Sequence, residues 1–278
     1  LGDPRMASQE CDCDFSTSGD TVIHNEDIAY YEKYFQKEPV EKRGLDKALW
    51  VWDYPNYSKQ YAVIMDVARG DGKDSSSAQV INLDDFEQVA EYKGQMPPKE
   101  LGVFGVSLAT EYNNAILIIE NNSYGWSSLQ SAIELGYNKV YYSAKNNNEF
   151  SDSYFDPYAD SSNKIAGFVT SSKTRPLVIA KFQEAVNEKV LVIRSKRTIS
   201  EIKTFIWKNG RPEAQQGYND DLIIPLGIGA YLRDTALIGN NRGVEMTKHM
   251  LNNITSDRNA YQGGYFSSNY DNPYKVET

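Results

Sequence analysis

The sequence predicts an α/β fold in which a mixed β-sheet carries α-helices on both faces. Three observations lead there. Tyr61 to Val67 is apolar except for Asp66, the pattern of a strand buried on both sides. Ser77–Leu83 and Phe86–Tyr92 flank Asp84-Asp85 and read as a hairpin. From Pro97 onward, stretches of helical period alternate with short apolar runs, the order expected where helices cover a sheet.

Residues 1–45 are rich in charge and lack a strong core pattern, so they read as a lead-in segment. Ala48–Trp52 is a short strand closed by the turn cluster Asp53-Tyr54-Pro55-Asn56-Tyr57. After the buried strand and the hairpin, Pro97-Pro98 opens a helix that runs to about Tyr112. Its Leu101, Phe104, Leu108 and Tyr112 fall at helical spacing. Ala115–Ile119 is a strand that stops at Glu120, followed by a helix over roughly Gly125–Leu135 and a strand at Val140–Tyr142. Lys145–Asn163 is polar and reads as a loop. Lys173–Glu188 is a helix, Val190–Ile193 a strand, and Ile199–Trp207 an amphipathic stretch. Asp220–Arg233 is an apolar helix whose start, Asn219-Asp220-Asp221, supplies N-cap residues and negative charge. The Asn-, Tyr- and Ser-rich remainder reads as a partly flexible tail. The expected organisation is a lead-in over 1–45, a single domain over 46–237 and a tail over 238–278.

No apolar run reaches the roughly 18 residues a membrane span needs. Cys11 and Cys13 read as free thiols of a reducing cytoplasm. The net charge of −9 argues against a general nucleic-acid binder. Its distribution argues the other way. Residues 161–215 hold eleven basic and four acidic residues, a net +7 that leaves −16 on the rest. A solvated helix face and a phosphate-facing surface both explain such a segment.

Three acidic stations sit at element boundaries: Asp66 ending one core strand, Glu120 ending another, and Asp220-Asp221 opening an apolar helix. If the two strands are neighbours, Asp66 and Glu120 lie side by side. Carboxylates so gathered raise one another's pKa unless a cation neutralises them, and Mg2+ favours carboxylate oxygens. Each acid alone is more readily explained as an ordinary strand end or helix cap; only the three together point to a shared site.

The set VIMDVARGDGKD, LIIENNSYG and GYNDDLIIPL resembles the nuclease domain of the large terminase subunit of tailed bacteriophages. The resemblance spans about residues 1–235, with QECDCDFSTSGDTVI similar to the segment that joins the family's ATPase to its nuclease. It implies an RNase H-like fold and a metal-dependent endodeoxyribonuclease that uses Mg2+ or Mn2+, two ions, to cut double-stranded viral DNA when packaging starts and ends. By the same resemblance, Asp66, Glu120 and Asp221 are the catalytic metal ligands, with Asp74 and Asp220 as auxiliary ones. Where the family commonly has His before the Asp pair, this chain has Asn219, an amide that cannot act as a base. Phosphate contacts are expected from Lys164, Lys173, Arg175, Lys181, Arg194, Lys196 and Arg197. Expected partners are double-stranded DNA, an ATPase motor domain of the same polypeptide, the portal protein and the small terminase subunit. The expected location is the host cytoplasm, transiently at the procapsid portal vertex.

The chain lacks both an initiator Met and a phosphate-binding G-x-x-x-x-G-K-[ST] loop, which suggests a fragment without its motor. Gly72-Lys73 is followed by Asp74 rather than Ser or Thr. The alternatives are another RNase H-like enzyme of resolvase or transposase type, and a non-catalytic interaction module of the packaging complex.

Overall fold

The computed structural model describes residues 21–44, 46–70, 72, 74–144 and 164–233. Cys11, Cys13, Asp71, Lys73, the 145–163 loop and the C-terminal tail lie outside the described residues.

The chain enters through α1 (Asn25–Tyr34), β1 (Glu41–Arg43) and β2 (Leu49–Val51), then β3 (Tyr61–Asp66) and the hairpin β4 (Ser76–Asn82) and β5 (Glu87–Gly94). There follow α2 (Pro98–Glu111), β6 (Ile116–Ile119), α3 (Gly125–Glu134), β7 (Tyr142–Ala144) and β8 (Lys164–Ala166). The last part holds α4 (Thr174–Asn187), α5 (Lys196–Lys203), β9 (Phe205–Lys208) and β10 (Arg211–Ala214). A helix over residues 223–233, α6, closes the described chain. None of these helices is long and apolar enough to cross a membrane.

Six strands form one sheet in the order β1-β2-β5-β4-β3-β6, antiparallel except for the parallel pair β3 and β6. That is the mixed sheet expected. Alternation along the strands sorts the core into two layers. Tyr61, Val63 and Met65 pack with Leu101, Leu108 and Leu129 of α2 and α3 on one face. Ala62 and Ile64 pack with Val178, Phe182, Ile199, Ile224 and Ile228 of α4, α5 and α6 on the other. Because both faces of β3 are covered, its apolar run has no polar side.

Several elements differ from expectation. Val22, Ile23, Ile28 and Tyr31 are buried in the core although they belong to the charge-rich lead-in. The Tyr31 hydroxyl reaches across 160 positions to donate to the Leu191 carbonyl (2.6 Å). The apolar period of α1 was hidden because only two of its positions are buried. Val190–Ile193 forms no strand: Leu191 lies in a bend, Val192 makes an isolated bridge to Glu87, and shortly after it Ser195 caps α5 by accepting from the Arg197 and Thr198 amides. The strand expected at Val140–Tyr142 falls at Tyr142–Ala144, with Val140 reduced to a bridge to Leu117. Ile199–Trp207 divides into the end of α5 and strand β9. The β9–β10 turn, Asn209-Gly210, has positive φ at both residues (51° and 74°), the signature of a two-residue hairpin, and was not anticipated.

Candidate functional site

Sheet register assembles the site. Met65 pairs with Ile119, and the Glu120 amide donates to the Met65 carbonyl (2.9 Å), so Asp66 and Glu120 occupy the next position of the two parallel strands. Asp66 pairs with Ser77 on β4, and Ser77 with Lys93 on β5. Glu120, Asp66, Ser77 and Lys93 therefore form one row across four strands. Period-2 alternation puts this row on the face covered by α4, α5 and α6, since Ile64 and Ile118, two positions earlier, pack there.

Asp66 is pushed well above the usual carboxylate range. Burial is the largest cause, followed by the charge of Glu120 and a hydrogen bond between the two carboxyl groups; Asp221 and Asp220 add to the rise. Glu120 itself is 8% exposed. The turn between β6 and α3 fixes its placement. The Asn122 side chain accepts from the Tyr124 and Gly125 amides (3.0 and 2.8 Å) and donates to the Val67 carbonyl (3.2 Å). Gly125 passes so near Glu120 that a Cβ there would lie 1.9 Å from the Glu120 carbonyl oxygen, so only glycine fits.

Asp221 arrives from the other layer. The peptide unit at Asp221 and Leu222 is held by three side chains. Ser77 Oγ donates to the Asp221 carbonyl (2.6 Å), Gln79 Nε2 to the Leu222 carbonyl (3.3 Å), and Glu201 Oε2 accepts from the Leu222 amide (2.8 Å). The Asp221 carboxylate accepts from Asn219 Nδ2 (3.0 Å), and Lys93 Nζ stands 3.8 Å from its Oδ2. Burial raises the Asp221 pKa; Lys93 and Asn219 oppose the rise, and Asp220 and Asp74 add to it. Asp74 is exposed on the loop after β3, near enough to be felt. Asp220 is paired with Arg175 (2.5 Å). Among the described residues, no three His, Cys, Asp or Glu side chains close in tightly enough to hold a metal ion. Asp66 and Glu120 are in contact with each other, while Asp221 accepts from Asn219 and has Lys93 Nζ 3.8 Å away, drawn toward Glu201.

Two charged residues of the site escaped the sequence reading. Lys93 follows the apolar part of β5, and Glu201 sits within the basic segment. The two are ion-paired, and burial lifts the Glu201 pKa to about 7 despite Lys93 and the Leu222 amide. Only the spacing of Glu201 between Thr198, Ile199 and Ile202 on the inward face of α5 could have betrayed it.

The expected phosphate contacts divide. Lys173 is exposed at the start of α4, and Arg175 lies beside Asp220. Lys164 is half-buried in β8, and Lys181 pairs with Glu184 (2.8 Å). Arg194 pairs with Glu87 (2.6 Å) and Lys196 with Glu38 (2.8 Å). Arg197 pairs with Glu91, which is fully buried and also accepts from Ser195, Thr198 and Gln88. The ion pairs of Arg194 and Arg197 give these two guanidiniums a structural use.

No protein-family profile matches the sequence. The fold recurs in the large terminase nuclease from thermophilic phage G20c, in its structures with bound magnesium and with bound cobalt. In each the TM-score is 0.56 at 14% identity, covering 76% of this chain and 96% of that one. The large terminase nuclease domain of Thermus phage P74-26 matches with a TM-score of 0.51 at 13% identity, covering 72% and 92%. The chain thus has the fold of the large terminase nucleases, the RNase H-like architecture that the resemblance implied.

Proposed function

We propose that this chain is the nuclease domain of a phage large terminase, a metal-dependent endonuclease that cuts double-stranded DNA as packaging starts and ends. The observation that carries the reading is the register that sets Asp66 beside Glu120, with Asp221 latched over Ser77, the strand partner of Asp66. The raised pKa of Asp66 supports it, because crowded carboxylates are relieved by a hard divalent cation such as Mg2+ or Mn2+. All donors are oxygens, which fits that class of ion. Bound there, two divalent ions would supply an activated water and a counter-charge for the leaving oxygen of a phosphodiester.

The chain's own part is positional. β3 and β6 hold Asp66 and Glu120 in fixed relation, and Ser77, Gln79 and Glu201 fix the backbone that carries Asp221. Asp74 and Asp220 are the auxiliary acids at the rim. Lys173 and Arg175, at the start of α4, are suited to grip the DNA backbone, which positions the duplex without reading its sequence. An acidic protein binds free DNA weakly. Attachment to an ATPase motor domain of the same polypeptide would raise the effective concentration of DNA. The portal protein and small terminase subunit are the further partners of this reading, in the host cytoplasm at the procapsid portal vertex.

Plasmid cleavage tests it. Supercoiled DNA should be nicked and linearised with Mg2+ or Mn2+ and left intact with EDTA. Asp66→Ala protein that folds normally yet cuts at the wild-type rate would refute the reading.

A further inference from the structure

We infer that Glu201 is a positioning residue of this site: by tethering Lys93 it keeps that ammonium from closing on Asp221, and so keeps Asp221 open to a divalent cation. The inference rests on the reading of Asp66, Glu120 and Asp221 as metal ligands. It starts from an ion that the nuclease reading does not use. Lys93 lies in the polar row of the sheet, one strand beyond Ser77, on the face that carries all three acids. Its ammonium has two carboxylates within reach. It is in close contact with Glu201 Oε1 and stands 3.8 Å from Asp221 Oδ2. A lysine ammonium and a divalent cation compete for the same carboxylate oxygens.

What decides the competition is where Lys93 is held. Glu201 is 8% exposed, and its two oxygens have separate tasks. Oε2 accepts the Leu222 amide and is fixed by it, while Oε1 takes Lys93. The carboxylate that draws Lys93 away is thereby anchored to the residue next to Asp221, at a constant offset from it. Without the charge on Glu201, the remaining partner of Lys93 among the groups it contacts is Asp221. The α5 helix that brings Glu201 here is itself fastened to the sheet by Glu91, through Ser195, Arg197 and Thr198.

Glu201→Gln separates the two tasks, because the amide oxygen still accepts from Leu222 but no longer holds an ammonium. The experiment is calorimetric titration of Mn2+ into the full chain at about pH 8, where Glu201 carries its charge, for wild type, Glu201→Gln, Lys93→Met and the double variant. Glu201→Gln should weaken binding by about tenfold, the usual scale for a group that supports a metal ligand. Lys93→Met should bind more tightly than wild type, and the double variant should return to the affinity of Lys93→Met. A double variant no tighter than Glu201→Gln would mean that Glu201 acts only as a brace for Leu222, and would overturn the inference. Unchanged binding by Glu201→Gln would do the same. If Glu201→Gln does not fold, Lys93→Met decides alone, and binding no tighter than wild type refutes the tether. Wild-type protein that takes up no Mn2+ would instead defeat the metal-site reading itself, a separate result visible before any variant is made.

Discussion

Burial of Glu201 makes a measurable prediction about stability and pH. Its pKa rises from an ordinary 4.5 to about 7 in the folded protein, with burial as the leading cause. Between those two values the folded chain keeps a proton that the unfolded chain has released. Stability must therefore fall as pH rises through that window. A rise of this size corresponds to about 3 kcal/mol, a large part of the roughly 5–15 kcal/mol that stabilises a domain. Glu201→Gln is neutral at every pH and lacks this loss. Urea unfolding followed by circular dichroism, in EDTA at pH 4.5 and pH 7.5, gives the comparison. Relative to wild type, the variant should gain about 3 kcal/mol between the two conditions. If the difference between the two proteins is the same at both pH values, burial does not raise the Glu201 pKa and the reasoning is wrong.

Further outcomes concern the neighbouring contacts. Asp66→Asn removes a carboxyl group whose ionisation is opposed by burial and by Glu120, so without divalent cation at neutral pH it should stabilise the protein by about 1 kcal/mol or more, a melting shift of a few degrees; a lower melting temperature would contradict the crowding. Gly125→Ala forces a Cβ onto the Glu120 carbonyl and should cost about 3 kcal/mol together with loss of Mn2+ affinity, read by melting and calorimetry. Glu91→Ala leaves Arg197 half-buried without its partner and should cost about 3–5 kcal/mol by chemical denaturation, the scale of a broken buried ion pair.

The strands and helices around the site were legible because each announces itself locally: an apolar run for β3, Asp84-Asp85 between two β patterns for the hairpin, Pro97-Pro98 before a helical period. The three acids stood out for the same reason, as charges closing apolar segments. Their convergence was not legible. It depends on β6 pairing in parallel with β3 rather than extending the hairpin side, and on a hydrogen bond between residues 77 and 221. The basic segment misled for a related reason. Its excess of charge is real in the sequence, but the acids that answer Arg194 and Arg197 lie more than a hundred positions earlier, at Glu87 and Glu91. Glu201 was hidden within it as one of four minority charges. Asn219, conspicuous in the sequence beside the Asp pair, proves to donate to the Asp221 carboxylate.

The parallel pairing of β3 and β6 also bears on when the site can exist. Two parallel neighbours need a crossover between them, and here the crossover consists of β4, β5 and α2. Asp66 meets Glu120 only after 54 residues have been threaded into place, and the 77–221 latch closes a loop of 144. Contacts of such separation form late, after local hairpins and helices. A chain still emerging from the ribosome, or one that has frayed at α6, lacks at least one of the three acids while keeping much of its sheet. In a protein read as a DNA-cutting enzyme, folding would thus serve as its own safety catch, with the power to cut appearing only in molecules in which the segment carrying Asp221 has docked on Ser77.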